Sequence, residues 1–188
     1  LGTDTLAVYA KDGTLRVYDQ NTGAVLTDTV VAPIEGLQRT DLYNVDGGWV
    51  WLRQYDNDDY EATTRTVCGP NGTNKTLDLD AIKARYGADF HGYLWPVTAA
   101  GGEFYFSVSY QGPGQNWLYD LIDSTGNVVL AGLGSCNGYY TNTANPLPDG
   151  VFVARKGFEY GWMDLHGQWV YCQNIFYSSG DDAENYYF

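Results

Sequence analysis

The feature that most constrains this chain is a turn that recurs. Four segments share one pattern: an alternating apolar run, a polar pivot ending in glycine, and a second apolar run. They are LRVYDQNTGAVL (15–26), RTVCGPNGTNKTL (65–77), LYDLIDSTGNVVL (118–130) and EYGWMDLHGQWVY (159–171). The pivot glycines are Gly23, Gly72, Gly126 and Gly167, separated by 49, 54 and 41 residues. Tight turns between right-twisted strands need φ > 0 at one or two positions, which Gly and Asn accept at little cost. Asp19, Asp123 and Asp164 open three of the pivots. An aspartate there accepts hydrogen bonds from the turn's own amides, so these three are expected to be turn residues rather than catalysts.

A further strand-like run precedes each pivot: TLAVYA before Asp12-Gly13, GGWVWLRQY from Gly47, GGEFYFSVSY from Gly101 and DGVFVARKG from Asp149. Period-two spacing puts Trp49 and Trp51 on one face of their strand and Phe104 and Phe106 on one face of theirs. Each unit then supplies about three strands, with a weak fourth, which is the content and period of a propeller blade. The expected fold is all-β: an antiparallel β-repeat, propeller-like, with three to four blades. It forms a single domain over residues 1–188, with approximate units 1–40, 41–90, 91–140 and 141–188. Aromatics at 16% and 23 glycines agree with strands. One segment departs from the pattern. In TLDLDAIKARYGADF, Asp78 or Asp80 serves as N-cap, Leu79, Ile82 and Tyr86 fall at helical spacing, and Gly87 follows. This predicts one short helix near 80–86.

EYGWMDLHGQWVY resembles a WG repeat (KWG type), whose units read roughly Trp/Tyr-Gly-aromatic-Ile-Asp-x-x-Gly-x-x-Val-Ile. Tyr160, Gly161, Trp162, Met163, Asp164, Gly167 and Val170 stand at the matching positions. WLYDLIDSTGNVVL is similar through Ile122, Asp123, Gly126, Val128 and Val129, but Asp120 stands where the repeat glycine would be. VYDQNTGAVL, with one extra pivot residue, looks like the strand-turn-strand of quinoprotein-type propeller blades. The resemblance implies a β-repeat module of the kind found in secreted or surface-attached bacterial proteins, with a binding role. It brings no catalytic residues, because the repeat pattern defines none.

The net charge is −13. Phosphate recognition needs clustered Lys and Arg, so nucleic acid and anionic membrane surfaces are not expected partners. No run approaches the roughly 18 apolar residues of a membrane span. The chain starts at Leu1 rather than Met, so a trimmed or mature product is expected, compatible with an upstream secretion signal or lipid anchor. Cys68, Cys136 and Cys172 lack CxxC spacing, which argues against structural zinc. One disulfide with a free thiol and three buried thiols both remain open, with Cys172 in the apolar run Val170-Tyr171-Cys172 reading as core. Asn71-Gly72-Thr73 and Asn74-Lys75-Thr76 fit the glycosylation pattern, and a turn accounts for them equally well.

No Gly-x-Ser-x-Gly elbow appears, and no cofactor is implied. YDNDDYE (55–61) is rich in oxygen ligands, but an EF-hand needs Gly at position six and Glu at twelve, where this chain has Glu61 and Val67. Glu35, Glu61, Glu103 and Glu159 are the acids available for a two-carboxylate glycoside hydrolase. Two aromatic clusters read as loops, FHGYLWP (90–96) and SCNGYYTNTANP (135–146). Their Trp95, Tyr139 and Tyr140 are the candidate ligand contacts, since such rings stack on sugars or fill protein interfaces. The expected role is a non-enzymatic bacterial module, extracellular or surface-exposed, binding a protein or glycan. A two-carboxylate carbohydrate hydrolase and a structural spacer without a ligand site are the alternatives.

Overall fold

The computed structural model describes residues 5–36, 39–44, 48–55, 63–87, 90–137 and 148–174. They form four antiparallel sheets in chain order. The first contains β1 (Thr5–Tyr9), β2 (Thr14–Asp19) and β3 (Val25–Val30). The second contains β4 (Arg39–Asn44), β5 (Val50–Tyr55), β6 (Thr63–Gly69) and β7 (Thr73–Thr76). The third contains β8 (Phe90–Ala100), β9 (Glu103–Gln111), β10 (Trp117–Asp123) and β11 (Val128–Leu133). The fourth contains β12 (Ser135–Asn137), β13 (Val151–Lys156), β14 (Glu159–Asp164) and β15 (Trp169–Asn174). Every strand pairs with its sequence neighbours, so each sheet is a simple meander and blade-like. β12 opens the fourth sheet, so the first three residues of SCNGYYTNTANP (135–146) are strand rather than loop.

Each pivot joins the last two strands of its sheet, and all four pivot glycines have positive φ, from +71° to +84°. The aspartates do what the turn requires. Asp19 Oδ1 accepts from the amides of Asn21 and Thr22 at 2.8 and 2.9 Å. Asp123 Oδ1 accepts from Thr125 and Asn127 at 2.9 and 3.0 Å. Asp164 Oδ1 accepts from His166 and Gln168 at 2.9 Å each. These bonds hold the Asp123 carboxyl below its ordinary range despite partial burial, and they lower Asp19 as well. The second pivot differs, because Pro70–Gly72 closes it as a turn of 3₁₀-helix.

The inserted helix α1 spans Leu79–Tyr86. The Asp78 carboxylate caps it by accepting from the Ala81 amide at 2.9 Å, and Gly87 ends it at φ +61°.

Consecutive sheets pack face to face. Leu15 and Val17 of the first sheet meet Val50 and Cys68 of the second. Trp51 and Val67 of the second meet Phe104, Phe106, Val108 and Ile122 of the third, with Ile82 of α1 beside them. Val97 and Leu121 of the third meet Phe152, Ala154 and Met163 of the fourth. The two aromatic faces expected from alternation therefore face each other. Trp49 lies 5.5 Å from Phe104 and Trp51 lies 4.9 Å from Phe106, centroid to centroid. Polar ties cross the same seams: Thr27 Oγ1 donates to the Gly48 carbonyl at 2.6 Å, and Lys75 pairs with Glu103.

Gly161, the glycine of the WG-like dipeptide, is fixed by close approach rather than by its φ. A Cβ there would sit 2.1 Å from the Tyr171 carbonyl oxygen and 2.7 Å from the Cys172 Cα, both backbone. Gly161→Ala is expected to cost about 2 kcal/mol, as overpacking against an unyielding strand does. Thermal unfolding checks this, and a change within about 0.5 kcal/mol, the range of ordinary surface sites, would show that β15 can move away.

Candidate functional site

Of the three aromatics expected to contact ligand, Trp95 is described; Tyr139 and Tyr140 lie outside the described residues. Trp95 does not lie in a loop. FHGYLWP opens β8, an edge strand of the third sheet. Pro96 is tolerated there because an edge strand has one unpaired side, where a missing N–H costs nothing. Bulges between Phe90 and Leu94 and between Pro96 and Thr98 break the alternation that would have marked the strand.

Leu94 and residues 96–99 are buried, whereas Trp95 keeps 43% of its surface exposed. Its ring meets Tyr43 of β4 edge-on, at 6.5 Å and 80°. The first strands of the second and third sheets thus build one aromatic corner. Cross-strand register extends it along the second sheet, where Tyr43 pairs with Trp51, and Asp41 pairs with Arg53, which pairs in turn with Arg65. The Arg53 guanidinium stacks 4.4 Å above the Tyr55 ring. Arg65 is buried beside it, and burial first and the like charge of Arg53 second bring its pKa down to about 10. Burial, then the Asp41 carboxylate, raise the Tyr43 phenol.

A second polar cluster sits on β10. Asp120 is buried and accepts from three donors: the Tyr86 hydroxyl at 2.8 Å, the Tyr110 hydroxyl at 3.0 Å and the Gly132 amide at 2.8 Å. The two tyrosine rings lie 5.1 Å apart. Burial first and the Asp120 carboxylate second push the Tyr110 phenol up to about 12 and raise Tyr86 further. The Tyr86 bond to Asp120 fastens α1 to the third sheet. Sequence reasoning saw only that Asp120 displaced a repeat glycine.

Over residues 2–182 the sequence matches the family described as a domain of unknown function (DUF5046). The chain belongs to the DUF5046 family. Among curated proteins, none matches it.

The acids of this DUF5046 chain that were candidates for glycoside chemistry are engaged elsewhere or uncommitted. Glu103 is ion-paired with Lys75 and also accepts from the Phe104 amide; although burial opposes ionisation, these bonds hold its pKa below the usual range. It is therefore a tie between the second and third sheets. Glu159 accepts from the Trp169 indole N–H at 3.1 Å. Glu35 lies in an exposed turn, and Glu61, with the 56–62 segment, is outside the described residues.

All three cysteines are free. Burial pushes the Cys68 and Cys136 thiols up to about 12, far from a nucleophile's range. Cys172 is exposed rather than core, because β15 is an edge strand and Phe152, Ala154 and Met163 fill that core. His166 is exposed in the fourth pivot, and the His91 side chain is outside the description. Among the described residues no group of three or more His, Cys, Asp or Glu is placed to hold a metal ion, and no helix is long and apolar enough to cross a membrane. The Asn74 amide donates to Thr29 Oγ1 at 2.7 Å and to the Val30 carbonyl at 3.2 Å, so it seals the first sheet to the second.

Proposed function

We propose that this DUF5046 chain is a non-enzymatic binding module, extracellular or surface-exposed in a bacterium, that takes a glycan at Trp95. The observation that carries the reading is one half-exposed indole in a strand segment otherwise buried, braced edge-on by Tyr43 from the neighbouring sheet. An exposed, braced ring offers a flat face to the C–H side of a pyranose. Asp41 stands two residues from Tyr43 on the same face of β4 and accepts from its hydroxyl at 3.5 Å, which brings hydrogen-bonding groups for sugar hydroxyls to the same corner. The WG-repeat resemblance supports the surface-exposed bacterial setting. The engagement of Glu103 and Glu159 with separate partners gives the two-carboxylate hydrolase reading no support.

A glycan array probed with the intact domain tests the proposal. The expected result is binding to a defined group of glycans, which Trp95→Ala weakens about tenfold or more while the melting temperature holds. Binding to no member of a broad panel, or binding indifferent to Trp95→Ala, would overturn it.

A further inference from the structure

The two outermost faces of the array, on the first and fourth sheets, are apolar where solvent-facing ends of repeat arrays are ordinarily polar. On the first sheet, Leu6, Val8, Val25 and Val30 are each about half exposed. On the fourth, Trp162 and Tyr171 are directly paired across β14 and β15, with rings 5.6 Å apart, and both are about half exposed.

The repeat itself shows what these positions are for. Counted back from each pivot, Leu6 and Val8 oppose Tyr18 and Arg16. The same places are held by Val50 and Leu52 in the second sheet, Phe106 and Val108 in the third, and Phe152 and Ala154 in the fourth. All six of those residues are fully buried. The Phe106–Val108 and Phe152–Ala154 pairs lie in the core made with the preceding sheet, as does Val50. Trp162 in turn holds the place of Val17, Val67 and Leu121. Each of those is buried against the following sheet. The first sheet therefore carries an uncovered "preceded" face and the fourth an uncovered "followed" face. These are the two halves of a contact that the chain makes three times internally. Among the described residues no core cluster joins the fourth sheet to the first.

We infer that the fourth sheet of one copy packs on the first sheet of a second copy, head to tail, so that Trp162 and Tyr171 cover Leu6 and Val8. The contact is heterologous: the two surfaces differ, and each copy retains one free half for a further copy. This association is independent of the glycan reading at Trp95, which lies on β8 of the third sheet.

Sedimentation of the whole chain across a concentration series tests it, with Trp162→Lys and Leu6→Lys as blocking variants. Both sites are already exposed, so each variant should keep the wild-type circular dichroism and melting temperature. The wild type is expected to grow in mass with concentration, and each variant alone to associate about tenfold or more weakly. An equimolar mixture of the two should form a dimer and stop there, because one variant keeps its first-sheet face and the other its fourth-sheet face. A wild type monomeric at every concentration, a mixture that stays monomeric, or association that neither substitution weakens would overturn the inference.

Discussion

Phe106→Ala is expected to destabilise the protein by about 4 kcal/mol, at the upper end of single-site effects. Phe106 is fully buried at the seam of the second and third sheets. It packs against Trp51 at 4.9 Å and Phe104 at 5.3 Å. Truncation removes the transfer energy of the ring and leaves a cavity between two sheets whose backbones are held by their own ladders, so little collapse can fill it. For a chain of this size the melting temperature should fall by on the order of 10 °C. The informative control is Leu6→Ala, which changes the same repeat position in the first sheet, where the side chain is half exposed. At a protein concentration too low for association, it should stay within about 0.5 kcal/mol of wild type. Equal costs at the two positions would refute the packing order of the sheets.

Asp120→Ala is expected to cost about 3 kcal/mol. The loss is less the carboxylate itself than what it leaves behind: two phenol hydroxyls and the Gly132 amide, all without their acceptor. Tyr86→Phe removes one donor and leaves the other two bonds in place, so it should cost only about 1 kcal/mol. The cluster also fixes the direction of an alkaline limb. The Tyr110 phenol is raised to about 12 in the folded protein and Tyr86 is raised as well, against about 10 for an unfolded tyrosine. The folded state therefore binds protons more tightly. The stability these two phenols contribute is fully present below about pH 10 and is lost as pH rises toward 12, on top of a decline of the same sign that the buried Cys68 and Cys136 thiols begin at lower pH. Denaturant titrations at intervals from neutral pH upward should show this decline. In Asp120→Ala the decline should be shallower but still present, because burial, the larger cause, remains. A slope unchanged by the substitution would mean that the carboxylate does not act on these phenols.

The strands flanking the four pivots and the four turns were legible because their causes are local, whereas β4, β8 and β12, which open the four-stranded sheets, were not. Asp19, Asp123 and Asp164 bond amides no more than four residues away, and Gly23, Gly72, Gly126 and Gly167 take a backbone conformation that their own lack of a Cβ permits. The helix was legible for the same reason, since Asp78 and Gly87 bracket it. Trp95 stands out in the sequence as a large ring in an unusual segment, but that segment reads as a loop. Pro96 and the bulges on either side hid the alternation of an edge strand, and edge position is a property of the sheet, not of the segment.

Residue type and spacing by themselves thus determined an all-β repeat hinged at four glycines, because turn chemistry and period-two burial act within a few residues. Only the tertiary structure decided the rest. It paired Trp49 and Trp51 with Phe104 and Phe106, gave Asp120 its acceptor role through Tyr86, 34 residues away, and buried Leu121 while leaving Trp162 in water. Equivalent positions in a repeat are identical in sequence logic, and they differ only in whether another sheet lies over them.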